Sequence, residues 1–438
     1  MNNMRFYRTL LPLLALLLVA TLPPGVGAAV LVQCPAEADA DGDGIPRQNL
    51  FGTEVDSGDG AALNPKVKCM HLTAGDGWVR TADGRDDVYI FSFSDVTGIP
   101  PAQVLTKGIF RANSPAPTIR VREGDELYLT LTNVGLHQRP DLFDPHSVHY
   151  HGFPNSSAIF DGLPESAITI NQQASITYYY NNVHPGTYLW HCHVEATEHM
   201  QMGMLGNLYV EPIQNQTGIG GTLQAPNNAT KARKEDGPAT APLGYVYNDG
   251  DGSTAFDKEY VIQLQAFDDV FHDASRDVQP LPFAEMKDTY PTINGRGYPD
   301  TVVAGPLVPP PPDSCVGDTD NCEQLSPQLV SSLITATQGQ RVLLRMTNLS
   351  VVQNYSVSVL GIPMRVIGQG AKQLRGPAGL DVSYQSNVVN LASGESVDVI
   401  LNTAGLASGT YFLYSTNLNY LSNNQQDNGG FMTEIVIN

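Results

Sequence analysis

The sequence predicts an all-β protein of two sandwich-like domains, on three observations. Beyond the first residues no long stretch shows helical apolar spacing; short alternating apolar runs recur instead, separated by Gly, Pro, Asn and Asp. Gly and Pro number 41 and 31 in 438 residues, a turn-rich composition. The second half of the chain also repeats motifs of the first in the same order.

The amino terminus reads as a secretory leader. Arg5 and Arg8 precede the apolar run Leu10–Leu22, and Val26-Gly27-Ala28-Ala29 offers small residues for cleavage near Ala28. Residues 1–28 are therefore expected to be a signal peptide, and the mature protein to be exported, periplasmic or extracellular. No other apolar run is long enough to span a membrane, so none is expected to hold the mature chain there. Export places the cysteines in an oxidising compartment. Cys34 and Cys69 lie in one stretch, and Cys315 and Cys322 in one Pro/Asp-rich loop. Pairing them as two disulfides leaves Cys192 as a lone thiol that needs a role.

An amino-terminal extension is expected over 29–82. A first domain, 83–213, carries expected strands at Val88–Ser94, Glu126–Thr132, Ala174–Tyr180 and Thr187–His193. A Gly/Asn/Ala/Pro-rich linker follows, 214–258. The second domain, 259–438, has expected strands at Tyr260–Ala266, Arg341–Thr347 and Val397–Asn402. Three matches relate the two domains. Gly124–Asn133 aligns with Gly339–Asn348, His146–Pro154 with Tyr355–Pro363, and Gly186–His193 with Gly409–Thr416. The second copy has Tyr355, Ser358 and Leu360 in place of His146, His149 and His151. It has Tyr414, Ser415 and Thr416 in place of His191, Cys192 and His193. The fold thus does not need the imidazoles or the thiol; their presence in one copy asks for a chemical reason.

Charge narrows the partners. Lys plus Arg is 24 and Asp plus Glu 44, a net charge of −20, which repels phosphate backbones and excludes nucleic acid. A hydrophobic content of 42% excludes a disordered acidic chain.

The ten histidines concentrate between His146 and His199. Side chains alternate faces along a strand, so His149 and His151 share a face, and His191 and His193 share one opposite to Cys192. One short strand could then serve two adjacent sites. Two imidazoles, a thiolate and a weak axial thioether form a trigonal blue-copper site. His146, Cys192, His199 and Met204 supply that set; zinc is the runner-up metal. A buried free Cys beside surface histidines is the plain alternative.

At these residues the chain resembles the multicopper oxidase family of cupredoxin-domain proteins. The family's His-x-x-His-x-His-Gly signature stands here as His146-Ser-Val-His149-Tyr-His151-Gly152, and its His-Cys-His signature as His191-Cys192-His193, followed by His199 and Gly203-Met204. Thr292–Thr301 resembles the family's second-domain entry, and the likeness spans roughly 83–438. The resemblance implies two cupredoxin-like Greek-key β-sandwich or barrel domains, with copper as cofactor. It implies type 1 copper on His146, Cys192, His199 and Met204, and a second copper site, half of a type 2/type 3 cluster, on His149, His151, His191 and His193. It further implies a copper oxidoreductase that takes electrons from a small-molecule or protein donor at the blue site and passes them to the second for oxygen reduction.

Three features depart from the family pattern. The second repeat supplies no histidine, although a full cluster needs eight from two domains. Cys192 and His199 are seven residues apart, against five in most members, which reads as a two-residue loop insertion. The copper-bearing domain is the first of two, as in copper nitrite reductases, where His149 would stand in the place of a catalytic Asp. A half-cluster also suggests a ring of subunits, such as a homotrimer. A blue-copper electron carrier, a nitrite-reductase-like enzyme and a copper-tolerance binding protein therefore stay open as alternatives.

Weaker signals are read plainly. Asp39-Ala-Asp41-Gly-Asp43-Gly44 resembles the start of a calcium loop, but no Glu stands at its twelfth position, which favours a solvated acidic turn. Met200 and Met202 read as packing or a surface Cu(I) patch, with axial ligation open. His71, His137, His184 and His272 read as ordinary, and Trp190 and Tyr178–Tyr180 as strand packing. There is no phosphate loop, dinucleotide fingerprint or nucleophile elbow.

Overall fold

The computed structural model describes residues 30–60, 64–154, 156–217, 244–307 and 327–438. The expected signal peptide, the Cys315–Cys322 pair and most of the expected linker lie outside the described residues.

Eight strands form the first sandwich: β1 (Val67–Val79), β2 (Val88–Asp95), β3 (Ile119–Arg122), β4 (Asp125–Gly135), β5 (His149–His151), β6 (Ser175–Asn182), β7 (Gly186–His191) and β8 (Leu205–Glu211). One sheet runs β2-β1-β4-β6 and the other β3-β8-β7-β5. Period-two alternation builds the core between them. Leu127, Leu129 and Leu131 of β4 face inward and are fully buried. On the outer face Tyr128 meets Tyr179, and Thr130 shares a hydroxyl hydrogen bond with Thr177 at 2.8 Å. Tyr150, Tyr178, Tyr180 and Trp190 are buried in the same core, with Tyr150 stacked on Tyr180 at 3.9 Å. The boundary expected at residue 83 needs correcting: β1 precedes it, yet pairs antiparallel with β2 and parallel with β4 at the middle of a sheet. The extension before it is tied on by the Cys34–Cys69 disulfide.

Part of the span expected as linker is ordered on the second domain. Strands β9 (Gly244–Tyr245) and β10 (Ala255–Phe256) form a hairpin, and Val246, Tyr247 and Phe256 pack against Leu343, Ile367 and Ile400. The domain continues through β11 (Lys258–Phe267), β12 (Tyr290–Ile293), β13 (Ile334–Ala336), β14 (Arg341–Asn348), β15 (Tyr355–Val359), β16 (Met364–Gln369), β17 (Lys372–Gln373), β18 (Tyr384–Ser386), β19 (Val388–Leu391), β20 (Glu395–Asn402), β21 (Gly409–Ser415), β22 (Ser422–Asn423), β23 (Gln426–Asp427) and β24 (Met432–Ile437). Its sheets run β12-β11-β14-β20-β16-β17, with β18 also on β16, and β13-β24-β21-β15-β19.

The sequence repeat is a structural repeat. Asn133 at the end of β4 donates its amide to the carbonyls of Asp144 and Ile170, and its oxygen accepts the Gly135 N–H. Asn348 at the end of β14 does the same toward Gln353, Leu391 and Ser350. Both carboxamides satisfy backbone groups where a buried strand stops pairing.

A polar interface joins the domains. Glu259 of β11 sits between Arg120 and Arg345, and Arg345 donates to Thr187 Oγ1 at 2.8 Å. Two short helices, Ala196–Met202 and Asp269–Arg276, were not expected from apolar spacing. His272 on the second reaches across the interface, with its ring nitrogens against the carbonyls of Tyr89 and Gln201. Among the described residues, no helix is long and apolar enough to cross a membrane.

Candidate metal centre

The site grows from the end of β7. The strand stops at His191, because Cys192 instead donates its N–H to Met204 O at 3.1 Å. The chain then turns through Glu195, at φ 43°, into the helix Ala196–Met202, which carries His199. The seven-residue step from Cys192 to His199 runs through this helical turn. Gly203 ends it at φ 115°, a left-handed position suited to glycine, and Met204 returns its N–H to His199 O at 2.8 Å.

Cys192, His146 and His199 converge. Cys192 Sγ lies 3.2 Å from His199 Nδ1 and 3.9 Å from His146 Nδ1, and all three side chains have 0% exposure. The sulfur also accepts the Ser147 N–H at 3.4 Å and is bridged to no other cysteine. Met204 is fully buried in the hydrophobic core that also holds Cys192, and its backbone is hydrogen-bonded to both Cys192 and His199. Met202 is buried there too.

Opposite electrostatics act on the two rings. Burial, reinforced by the neighbouring His199, holds His146 well below the usual imidazole range. Burial opposes charge on His199 as well, but the adjacent Cys192 and Asp144 outweigh it and push that ring up to about 10. Asp144 Oδ2 stands 3.8 Å from His199 Nε2. A dry pocket with a thiol and two imidazole nitrogens turned to one point suits a soft cation that replaces their protons.

The second cluster lies beside the first. Strand pairing sets His149 directly across from His191, and His151 across from Leu189. Ligand-capable atoms of His149, His151 and His191 all lie within 4.8 Å of one another. His151 Nδ1 and His191 Nε2 are 3.4 Å apart. His193 joins through ring contacts at 5.0 Å to His149 and 5.5 Å to His191. His149 Nδ1–H donates to Asp161 O at 2.6 Å, and His191 Nδ1–H to Cys192 O at 2.7 Å. These bonds fix the tautomers and turn each Nε2 lone pair toward its neighbours. Burial first, then the neighbouring imidazoles, holds His191 down at about 3; the same causes lower His151. Burial and His193 also lower His149, although the Asp161 carbonyl works the other way. Neutral, crowded imidazoles are the form in which histidine binds metal.

In the second domain the equivalent positions are filled differently. Tyr355, where the first domain has His146, bonds Asp288 and Ser350 and packs on Phe431 at 4.4 Å. Ser358 bonds the Asn387 carbonyl at 2.7 Å. The sequence has no histidine beyond His272.

Asp144 and Asp161 carry no sequence signal, because they lie in loops outside any motif. Of the histidines read as ordinary, His71 bonds Thr132 Oγ1 at 2.8 Å, whereas His272 bridges the two domains.

Comparison with known proteins now places the chain. Profiles of the multicopper oxidase family match residues 101–215 and 264–436. The chain belongs to the multicopper oxidase family, whose members are copper-dependent oxidoreductases, and copper is its cofactor. No curated protein matches it in sequence. In fold it is similar to a blue copper oxidase from Nitrosomonas europaea, at 20% identity over 85% of this chain and 86% of that one, with a TM-score of 0.57. The multicopper oxidase mgLAC matches at 18% identity over 85% and 86%, TM-score 0.56. A copper nitrite reductase from Nitrosomonas europaea matches at 16% identity over 85% and 94%, TM-score 0.52.

Proposed function

We propose that this protein is an exported copper oxidoreductase with two copper sites joined end to end. Cys192, His146, His199 and Met204 would hold one copper, and His149, His151, His191 and His193 the other. The carrying observation is adjacency: Cys192 points into the first group while its chain neighbours His191 and His193 point into the second. Copper, when bound, supplies one-electron redox chemistry on soft sulfur and imidazole ligands. The residues do the rest. His146 and His199 present Nδ1 to the dry sulfur pocket, the Ser147 N–H steadies the sulfur, and Cys192 and its neighbours form a covalent path between the groups. Oxygen reduction at the histidine group, with electrons from a small-molecule or protein donor, is the activity that would use both. The Cys34–Cys69 disulfide supports export to an oxidising compartment.

Copper content, visible absorption and oxygen uptake test this reading. Two or more coppers per chain, a strong blue band lost in Cys192→Ser, and oxygen uptake with a phenol or Cu(I) are expected. A fully copper-loaded protein without that band would end it.

A second reading, a one-copper electron carrier, is favoured by the absence of histidine beyond His272. A symmetric ring of this chain could not draw four more imidazoles from its second domains. One copper per chain with no oxygen uptake identifies the carrier; nitrite consumption by the same sample would identify a nitrite reductase.

A further inference from the structure

The structure answers the question left by the acidic turn at Asp39. Counted from that residue, the twelfth position is Leu50, which is buried in the first domain's core, so the missing acidic ligand cannot come from there. A second loop supplies it instead. Asp56 and Asp59 fold back so that carboxylate oxygens of Asp41, Asp56 and Asp59 lie within 4.8 Å of one another; those of Asp39, Asp41 and Asp43 do likewise. Asp41 belongs to both groups.

Asp59 separates this arrangement from a solvated turn. It is 2% exposed, and its Oδ1 accepts the N–H groups of Ala40 and Asp41 at 2.6 and 3.1 Å. Its Oδ2 is buried and has no hydrogen-bond partner among the described residues. A buried carboxylate oxygen without a donor, set among other carboxylates, is costly unless a cation completes it. The loop Asp249-Gly250-Asp251-Gly252 is built differently: Asp251 is paired there with Arg375 at 2.6 Å. Gly44, sixth from Asp39, takes φ 87°, which provides the sharp turn a calcium loop needs at that place. Hard oxygen donors in this number select calcium over the soft, imidazole-binding metal of the other sites.

We propose that the loops 39–44 and 56–59 form a calcium site, with Asp39, Asp41, Asp43, Asp56 and Asp59 as the carboxylate set. Bound calcium would hold the two loops of the amino-terminal extension to each other, while the Cys34–Cys69 disulfide ties that extension to β1.

The full chain, freed of divalent ions by chelator, should be titrated with calcium chloride by calorimetry and melted with and without calcium. One calcium per chain is expected, with a Kd on the order of 10⁻⁴–10⁻³ M or tighter and a rise of a few degrees in Tm. Asp41→Asn, at an exposed carboxylate, and Asp59→Asn should each weaken binding at least tenfold, while Asp251→Asn leaves it unchanged. Asp41→Asn keeps the test decisive if Asp59→Asn folds poorly. No heat and no Tm shift at 10 mM calcium would overturn the proposal. So would an equal shift from magnesium, or an undiminished one in Asp41→Asn, since either marks general screening of an acidic chain.

Discussion

A Cβ placed on Gly394 would sit 2.7 Å from Nε2 of His151. The second domain thus meets the histidine group of the first with bare backbone, in the turn between β19 and β20. Gly394 has φ 82° and donates its N–H to Asn348 O at 2.8 Å, so the turn is fixed by the same Asn that ends β14. Gly394→Ala would force His151 aside and adds roughly 1–2 kcal/mol of left-handed strain. The expected outcome is loss of copper and oxygen uptake at the histidine group with the blue band retained. Unchanged copper per chain and unchanged uptake would show that the histidine group does not need the His151 ring in this position.

Asp144 is expected to act on the sulfur site through His199. Its carboxylate is 3.8 Å from the ring nitrogen remote from Cys192, an arrangement that orients a ligating imidazole and raises its basicity. Asp144→Asn keeps the shape and removes the charge. Copper affinity should fall about 10–100-fold, measured by competition with a chelator while the blue band is followed. An affinity within twofold of wild type would remove Asp144 from the site.

The sequence is legible where residue type alone carries the signal. Period-two alternation located β4, β14 and β20, and the differences between the repeats picked out His146, His149, His151, His191 and Cys192, which the structure gathers into two groups. It is not legible where tertiary contact decides. β1 includes Thr73, Gly75, Asp76 and Gly77 within its 13 residues, a poor strand pattern that becomes a central strand because β2 and β4 both pair with it. The helix at His199 is seven residues long, too short for periodicity to show. His272 bears no motif, since its role lies in two backbone carbonyls of the other domain.

The metal-free chain should lose stability in mild acid. Folding lowers the pKa of His146, His149 and His151, and holds His71 at about 4 and His191 at about 3, in each case chiefly through burial. Unfolded histidines bind protons near pH 6.5 that these folded ones decline. Between about pH 3 and 6.5 the unfolded state therefore holds more protons, and stability rises with pH. His199 runs the other way: raised to about 10, its contribution is complete below pH 6.5 and is lost as pH climbs through 10. Urea unfolding of metal-free protein at pH 7, 6 and 5 should show falling midpoints. Constant midpoints would mean that these rings are charged or exposed in the folded state.

The domain interface should depend on one carboxylate. Glu259 lies between Arg120, at 2.7 Å, and Arg345; burial disfavours its charge, but the two guanidiniums prevail and hold its pKa at about 2. Its stabilisation is thus complete above pH 4.5 and is lost as pH falls from there toward 2. Glu259→Gln leaves Arg120 with Glu211 at 2.8 Å but strands Arg345, which is 1% exposed and only 3.7 Å from Asp398 as its next anion. Removing one member of a buried ion pair costs roughly 3–5 kcal/mol, because the other charge stays buried without its partner. Adding Arg345→Met removes that charge and should recover most of the loss, a coupling that denaturant melts of the single and double variants would measure. Additive losses would mean that Arg345 is held by Thr187 and Asp398 alone, and that Glu259 serves only Arg120.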